Sequence, residues 1–164
     1  VGYDKSWANA SNTPFRMFKH WTNEGGIATP LIVHWPKGFR ARGELRWQPG
    51  QLPDIMATCV DVSGGIYPDE FHGEEITELE GNSLLPAFQG KETERSDPLF
   101  WEWRNGQAVR QGPWKLVKEG LDQNWDLYNM ESDPTETINL APEFPEKVKE
   151  LDQAFDAWKR KVGK

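Results

Sequence analysis

Apolar positions recur with two different periods along this chain, and the change between them falls near residue 95. Before that point, Leu31 to Trp35 form a continuous apolar run bounded by Pro30 and Pro36. Continuous apolarity with β-branched residues predicts a strand buried on both faces, as in a parallel or mixed α/β sheet. Leu52, Ile55, Met56, Cys59 and Val62 or Ser63 then recur at helical spacing, with Pro53 in the first turn and Gly64 as the stop, which predicts a core-facing helix. Strand, connection and helix together point to a layered α/β domain. Residues 1–16, rich in Asn, Ser, Gly and Thr, follow neither period and read as a loop. An opening of that kind is expected of a piece cut from inside a longer domain.

Residues 64–97 are rich in Gly, Pro and acidic side chains, with "SLLPAF" as a short apolar patch, and read as a long connection and a domain boundary. Beyond it the period is two. In "LFWEWRNGQAVRQGPWKLVKE", Trp101 and Trp103 share one strand face and Phe100, Glu102 and Arg104 the other, while Asn105-Gly106 predicts a type I′ hairpin turn. "WKLVKE" and "WDLYNM" add two alternating strands, giving a four-stranded antiparallel sheet with tryptophans on its buried side. Val148, Leu151, Phe155, Trp158 and Val162 mark a closing helix, entered at Pro145 and stopped at Gly163, that covers one face of the sheet. The chain thus divides into 1–95, an incomplete α/β portion, and 96–164, an antiparallel sheet plus helix.

Composition narrows the function. A net charge of −7 opposes binding to nucleic acid or to an anionic membrane surface. No stretch of 18 apolar residues suggests a membrane span. The single cysteine, Cys59, cannot form an internal disulfide and carries no signature of redox compartment.

The stretch "YDKSWANASNTPFRMFKHWTNEGGIATPLIVHWP", followed by "DIMATCVDVSG", "EGNSLLPAFQG", "LFWEWRNGQAVRQGPWKLV" and "WDLYNMESDPTETINLA", resembles in order the C-terminal part of a type I sulfatase of the arylsulfatase kind. The resemblance implies an alkaline-phosphatase-like α/β fold and hydrolysis of aryl or carbohydrate sulfate esters. It implies a formylglycine nucleophile and a divalent cation, usually calcium, both carried upstream of Val1 on the missing N-terminal part of the catalytic domain. No metal ligand is expected within these residues, and the fragment alone is expected to be inactive. A periplasmic, secreted or lysosomal setting is implied in the same way. Lys19, five residues before the glutamate of Glu24-Gly25-Gly26, matches a sulfatase lysine that contacts the sulfate and the ester's bridging oxygen. It is the candidate catalytic and substrate-binding residue, because a fixed ammonium stabilises charge that develops on the leaving group. His20 is a second substrate-binding candidate, although it stands where some sulfatases have a small residue.

The neighbouring residues have structural readings. Cys59 lacks the surroundings of the formylglycine motif and is expected in the core, like His34 in its apolar run. His72, flanked by Asp69, Glu70, Glu74 and Glu75, is expected in solvent, without the rhythm of a calcium loop. Glu24 is expected to meet backbone donors or a buried base, and Gly25-Gly26 to supply positive φ. Trp101, Trp103 and Trp125 are expected in the core, with a sugar platform as the alternative. Two other functions fit the sequence: a phosphonate or phosphodiester hydrolase of the same superfamily, and a non-catalytic glycan-binding or packing module.

Overall fold

The structure, a computed structural model, describes residues 2, 4–40, 42–91 and 94–163. They form two compact units, one of residues 1–30 with 96–164 and one of residues 31–95.

The first unit is organised around an antiparallel sheet of order β3-β4-β5-β6: β3 (Leu99–Trp103), β4 (Gly106–Gln111), β5 (Trp114–Lys118) and β6 (Asp126–Asn129). Alternation places Phe100, Val109, Leu116 and Leu127 on one face by cross-strand register. The closing helix α5 (Pro145–Lys161) lays Leu151 and Phe155 over these residues, and both are at most 1% exposed. Trp158 stacks on Phe100, their planes 3° apart and centroids 5.1 Å apart. The expected helix is therefore present and covers one face of the sheet, the face opposite Trp101 and Trp103, except that Val162 caps the helix and is exposed.

The opposite face carries Trp101, Ala108, Val117, Tyr128 and Met130. Trp103 shares that face but is 52% exposed, so it is not the core residue expected of it. Trp125 does pack against the helix-side core, its Nε1 donating to Asp152 Oδ1 at 2.8 Å. The hairpin turn lies one residue earlier than expected. Gly106 pairs with Trp103, leaving Arg104 and Asn105 as the loop, with Arg104 at φ +54°. Gly106 lies in the strand with the Thr22 side chain against it, Oγ1 being 3.4 Å from where a Cβ would stand.

Residues 1–16 are not all loop. Lys5–Ser11 form a short helix, α1, because Asp4 caps it by accepting the Trp7 N–H at 3.0 Å. A second short helix, α2 (Glu24–Ile27), follows.

The second unit holds α3 (Leu52–Ser63), a small hairpin of β1 (Glu70–Phe71) and β2 (Glu74–Glu75), and α4 (Leu85–Phe88). Helix α3 lies where expected, with Gly64 in the left-handed conformation at its end, but it faces the other way. Leu52 is 82% and Met56 55% exposed, and Cys59 is exposed rather than in the core. The buried side is Asp54, Ala57 and Thr58. Polar bonds explain the choice: Asp54 accepts the Asn82 N–H at 2.8 Å and an Arg95 N–H at 2.7 Å, and Thr58 Oγ1 accepts the Leu84 N–H at 2.9 Å. Satisfying those buried groups anchors the 80–84 segment. The run Leu31–Trp35 forms no strand, and its residues, His34 included, are exposed. A strand buried on both faces needs flanking strands, and the described residues place none beside it.

Candidate functional site

The Lys19–His20 pair sits at the tip of a turn closed by the Trp21 N–H donating to Phe18 O at 3.1 Å. His20 has φ +88°, the value that the third residue of a type II turn requires. That geometry favours a small residue, which is the physical content of the departure noted at this position. Both side chains are exposed. Among the described residues Lys19 has no hydrogen-bond or ion-pair partner.

Everything behind the tip is fixed. Asn12 Nδ2 donates to Met17 O at 3.1 Å and Gly25 O at 2.8 Å, and the Gly25 N–H donates to Arg16 O at 3.0 Å. Gly25 and Gly26 are not at positive φ, contrary to expectation. Their role is close approach: a Cβ on Gly25 would stand 2.3 Å from the Arg16 and Met17 carbonyl oxygens, and one on Gly26 2.1 Å from Trp21 O. Thr22, 2% exposed, donates its hydroxyl to Gln107 O on β4 at 3.1 Å.

Glu24 meets a buried base. Lys115, fully buried on β5, places Nζ 2.6 Å from Glu24 Oε1 and 2.8 Å from Glu136 Oε1. The second contact is an ion pair not aligned as a hydrogen bond, because Glu136 Oε1 finds no hydrogen-bond partner. The other Glu136 oxygen accepts the Glu24 N–H at 2.9 Å, satisfying a free helix N-terminal donor. Arg16 adds its guanidinium, donating to Glu136 O at 2.8 Å and to the Tyr128 hydroxyl at 3.3 Å. Burial and the nearby Asp126 carboxylate push the Tyr128 phenol up to about 12. A buried base for Glu24 is expected from the sequence; its identity as Lys115, and the parts played by Glu136 and Arg16, are not. The available signal was Lys115 standing in phase with Val117 on an alternating strand, hence on an inward face.

An open groove of about 510 Å³ runs between the turn and the edge strand β3, and Lys19, His20, Ile27, Trp101, Trp103 and Trp158 are among its walls. Across it the Trp103 Nε1–H donates to His20 Nδ1 at 3.1 Å. The groove thus combines a free cation, an oriented imidazole and indole surface, a set suited to an anionic ligand with an apolar or sugar-like body. Among the described residues no three His, Cys, Asp or Glu side chains group to hold a metal. His72, exposed on the β1–β2 turn, contacts the ring of Phe71.

The family profile for N-sulphoglucosamine sulphohydrolase, C-terminal, matches residues 15–161. An uncharacterized sulfatase of Schizosaccharomyces pombe is 27% identical over 99% of this chain and 30% of its own length. N-acetylgalactosamine-6-sulfatase of Sus scrofa is 30% identical over 68% of this chain and 22% of its own. The chain therefore spans less than a third of the length of these relatives. The crystal structure of Ps i-CgsB in complex with k-i-k-neocarrahexaose superposes with a TM-score of 0.75 at 24% identity, covering 90% of this chain and 32% of that one. It shares the fold.

Proposed function

Because the chain belongs to the N-sulphoglucosamine sulphohydrolase C-terminal family, we propose that it forms the C-terminal part of a sulfuric ester hydrolase acting on carbohydrate sulfates, with Lys19 in the active site. The observation that carries the assignment of Lys19 is mechanical: an exposed, unpaired ammonium stands at the tip of a turn whose base is locked by buried polar bonds. The backbone that carries the ammonium is held in place in this way. The attraction of the ammonium for the leaving oxygen grows as charge appears there in the transition state, which lowers the barrier. The relative named for N-acetylgalactosamine 6-sulfate supports a sugar sulfate as the substrate class. Formylglycine and a divalent cation, which the family implies, belong in this reading to chain outside these residues.

The test is sulfate release from sulfated saccharides by the complete protein and its Lys19→Ala variant. Loss of one preorganised donor should lower kcat roughly 10²- to 10³-fold, about 3–4 kcal/mol. A loss below about threefold would remove Lys19 from the chemistry.

A further inference from the structure

We propose that Trp103 is a positioning residue: its indole N–H fixes the tautomer of His20 and thereby presents His20 Nε2–H beside Lys19 as a hydrogen-bond donor to an oxygen of the sulfated saccharide. The proposal rests on the sulfatase reading above and adds a residue that reading does not use.

An indole nitrogen can only donate, so the atom facing it must accept. That atom is His20 Nδ1, 3.1 Å away. Two hydrogens cannot face each other across such a contact. Nδ1 therefore keeps its lone pair, and the neutral ring carries its proton on Nε2. Nε2 lies across the imidazole from Nδ1 and so points away from Trp103. His20 and Lys19 line the same groove. The rings run nearly parallel, their planes 21° apart and centroids 6.1 Å apart, which restricts rotation of the imidazole.

Two further observations set this contact apart from ordinary packing. Trp103 is 52% exposed on the edge strand, where an indole adds little to the core. His20 holds φ +88°, a conformation that a residue with a Cβ adopts only under backbone strain. A glycine would make the same turn without that strain but would leave Trp103 with no acceptor at this point. The chain thus keeps a strained histidine and an exposed tryptophan whose polar atoms satisfy each other.

The experiment uses the complete protein labelled with ¹⁵N-histidine. Two-bond ¹H–¹⁵N correlations distinguish a pyridine-type from a pyrrole-type nitrogen, and His20 is identified by its loss in His20→Gln. The expected wild-type pattern is pyridine-type Nδ1 and pyrrole-type Nε2. Trp103→Phe keeps a ring but removes the donor; it should mix the tautomers and lower kcat/KM roughly 3- to 10-fold, the scale of one hydrogen bond. His20→Gln offers an amide donor near the Nε2 position without help from Trp103. In that background Trp103→Phe should change kcat/KM by less than about twofold. A proton on Nδ1, an unchanged tautomer pattern in Trp103→Phe, or losses that simply multiply in the double variant would each overturn the proposal within an active sulfatase. Absence of sulfate release by the wild type, with the tautomer pattern intact, would instead sink the sulfatase reading and with it the substrate-facing half of the proposal.

Discussion

Replacing Lys115 with Met removes the ammonium that stands between two buried carboxylates while roughly keeping the length of the side chain. In the native protein Nζ is 2.6 Å from Glu24 Oε1 and 2.8 Å from Glu136 Oε1, and Lys115 and Glu136 are fully buried. Without the cation, two carboxylates face each other away from water. Removing one partner of a buried ion pair costs about 3–5 kcal/mol, because the remaining charge is left uncompensated. Set against a typical domain stability of about 5–15 kcal/mol, that is a large fraction of the total. With a urea m-value of about 1–3 kcal/mol/M, the midpoint should fall by roughly 2 M. Glu136→Gln is the contrasting variant. It keeps an acceptor for the Glu24 N–H and leaves one cation facing one anion, so it should cost about 1 kcal/mol or less. The triple variant Lys115→Met, Glu24→Gln, Glu136→Gln removes every charge of the cluster and should recover much of the loss. Urea denaturation followed by tryptophan fluorescence measures all three. A Lys115→Met midpoint unchanged within error, or a Glu136→Gln variant as damaged as Lys115→Met, would refute the buried-triad argument.

Gly25→Ala places a methyl group 2.3 Å from two backbone carbonyl oxygens that cannot yield, and should destabilise by about 3 kcal/mol or more; a neutral result in the same urea assay would show that the turn relaxes. For Asp133, burial would raise the carboxyl, but N–H groups of Ile138 and Thr137 and hydroxyls of Thr137 and Thr135 outweigh it and hold it below its ordinary 3.8. Its contribution is then fully present above that ordinary value and is lost as pH falls through the depressed folded one. Asp133→Ala should cost about 1–2 kcal/mol at neutral pH and flatten the acid limb of stability against pH, and an unaltered limb would count against it. Tyr128, pushed up to about 12, contributes stability that is intact below the ordinary 10 and lost as pH rises through about 12. Ultraviolet titration against Tyr128→Phe should assign the latest-titrating phenol to Tyr128; a phenol titrating at the ordinary value would contradict the burial.

The four-stranded sheet and α5 were legible because each face is completed within the chain. Phe100, Val109, Leu116 and Leu127 alternate, and Leu151 and Phe155 repeat at helical spacing, since each set buries against the other. Lys19 could be marked as a candidate because the resemblance to sulfatases places a lysine five residues before Glu24, and the structure adds its exposure and the rigidity behind it. Other features depended on partners far apart in sequence. Lys115 and Glu24 are 91 positions apart, and Trp103 and His20 are 83 apart. No local period encodes such a meeting. The α1 helix escaped notice because it rests on one cap and buries nothing, so it leaves no apolar stripe to count.

The wrong-facing helix α3 and the unpaired run Leu31–Trp35 have a more general cause. Both are apolar in sequence, as the stripe of α5 is, yet Leu52, Met56 and Ile32 are exposed while Leu151 and Phe155 are not. Periodicity reports that a surface is suited to burial; it does not report which polypeptide buries it. Within the second unit, what decides the orientation of α3 is the hydrogen-bond demand of Asp54 and Thr58, because a buried acceptor left unpaired costs about 1–3 kcal/mol, comparable with burying one aliphatic side chain. Lys19 obeys the same rule at the level of charge. Its turn is built rigidly and its ammonium is left without a partner among the described residues, so the proposed sulfatase reading explains an exposed cation and an exposed apolar stripe by one cause: each is one side of a contact whose other side these residues do not supply.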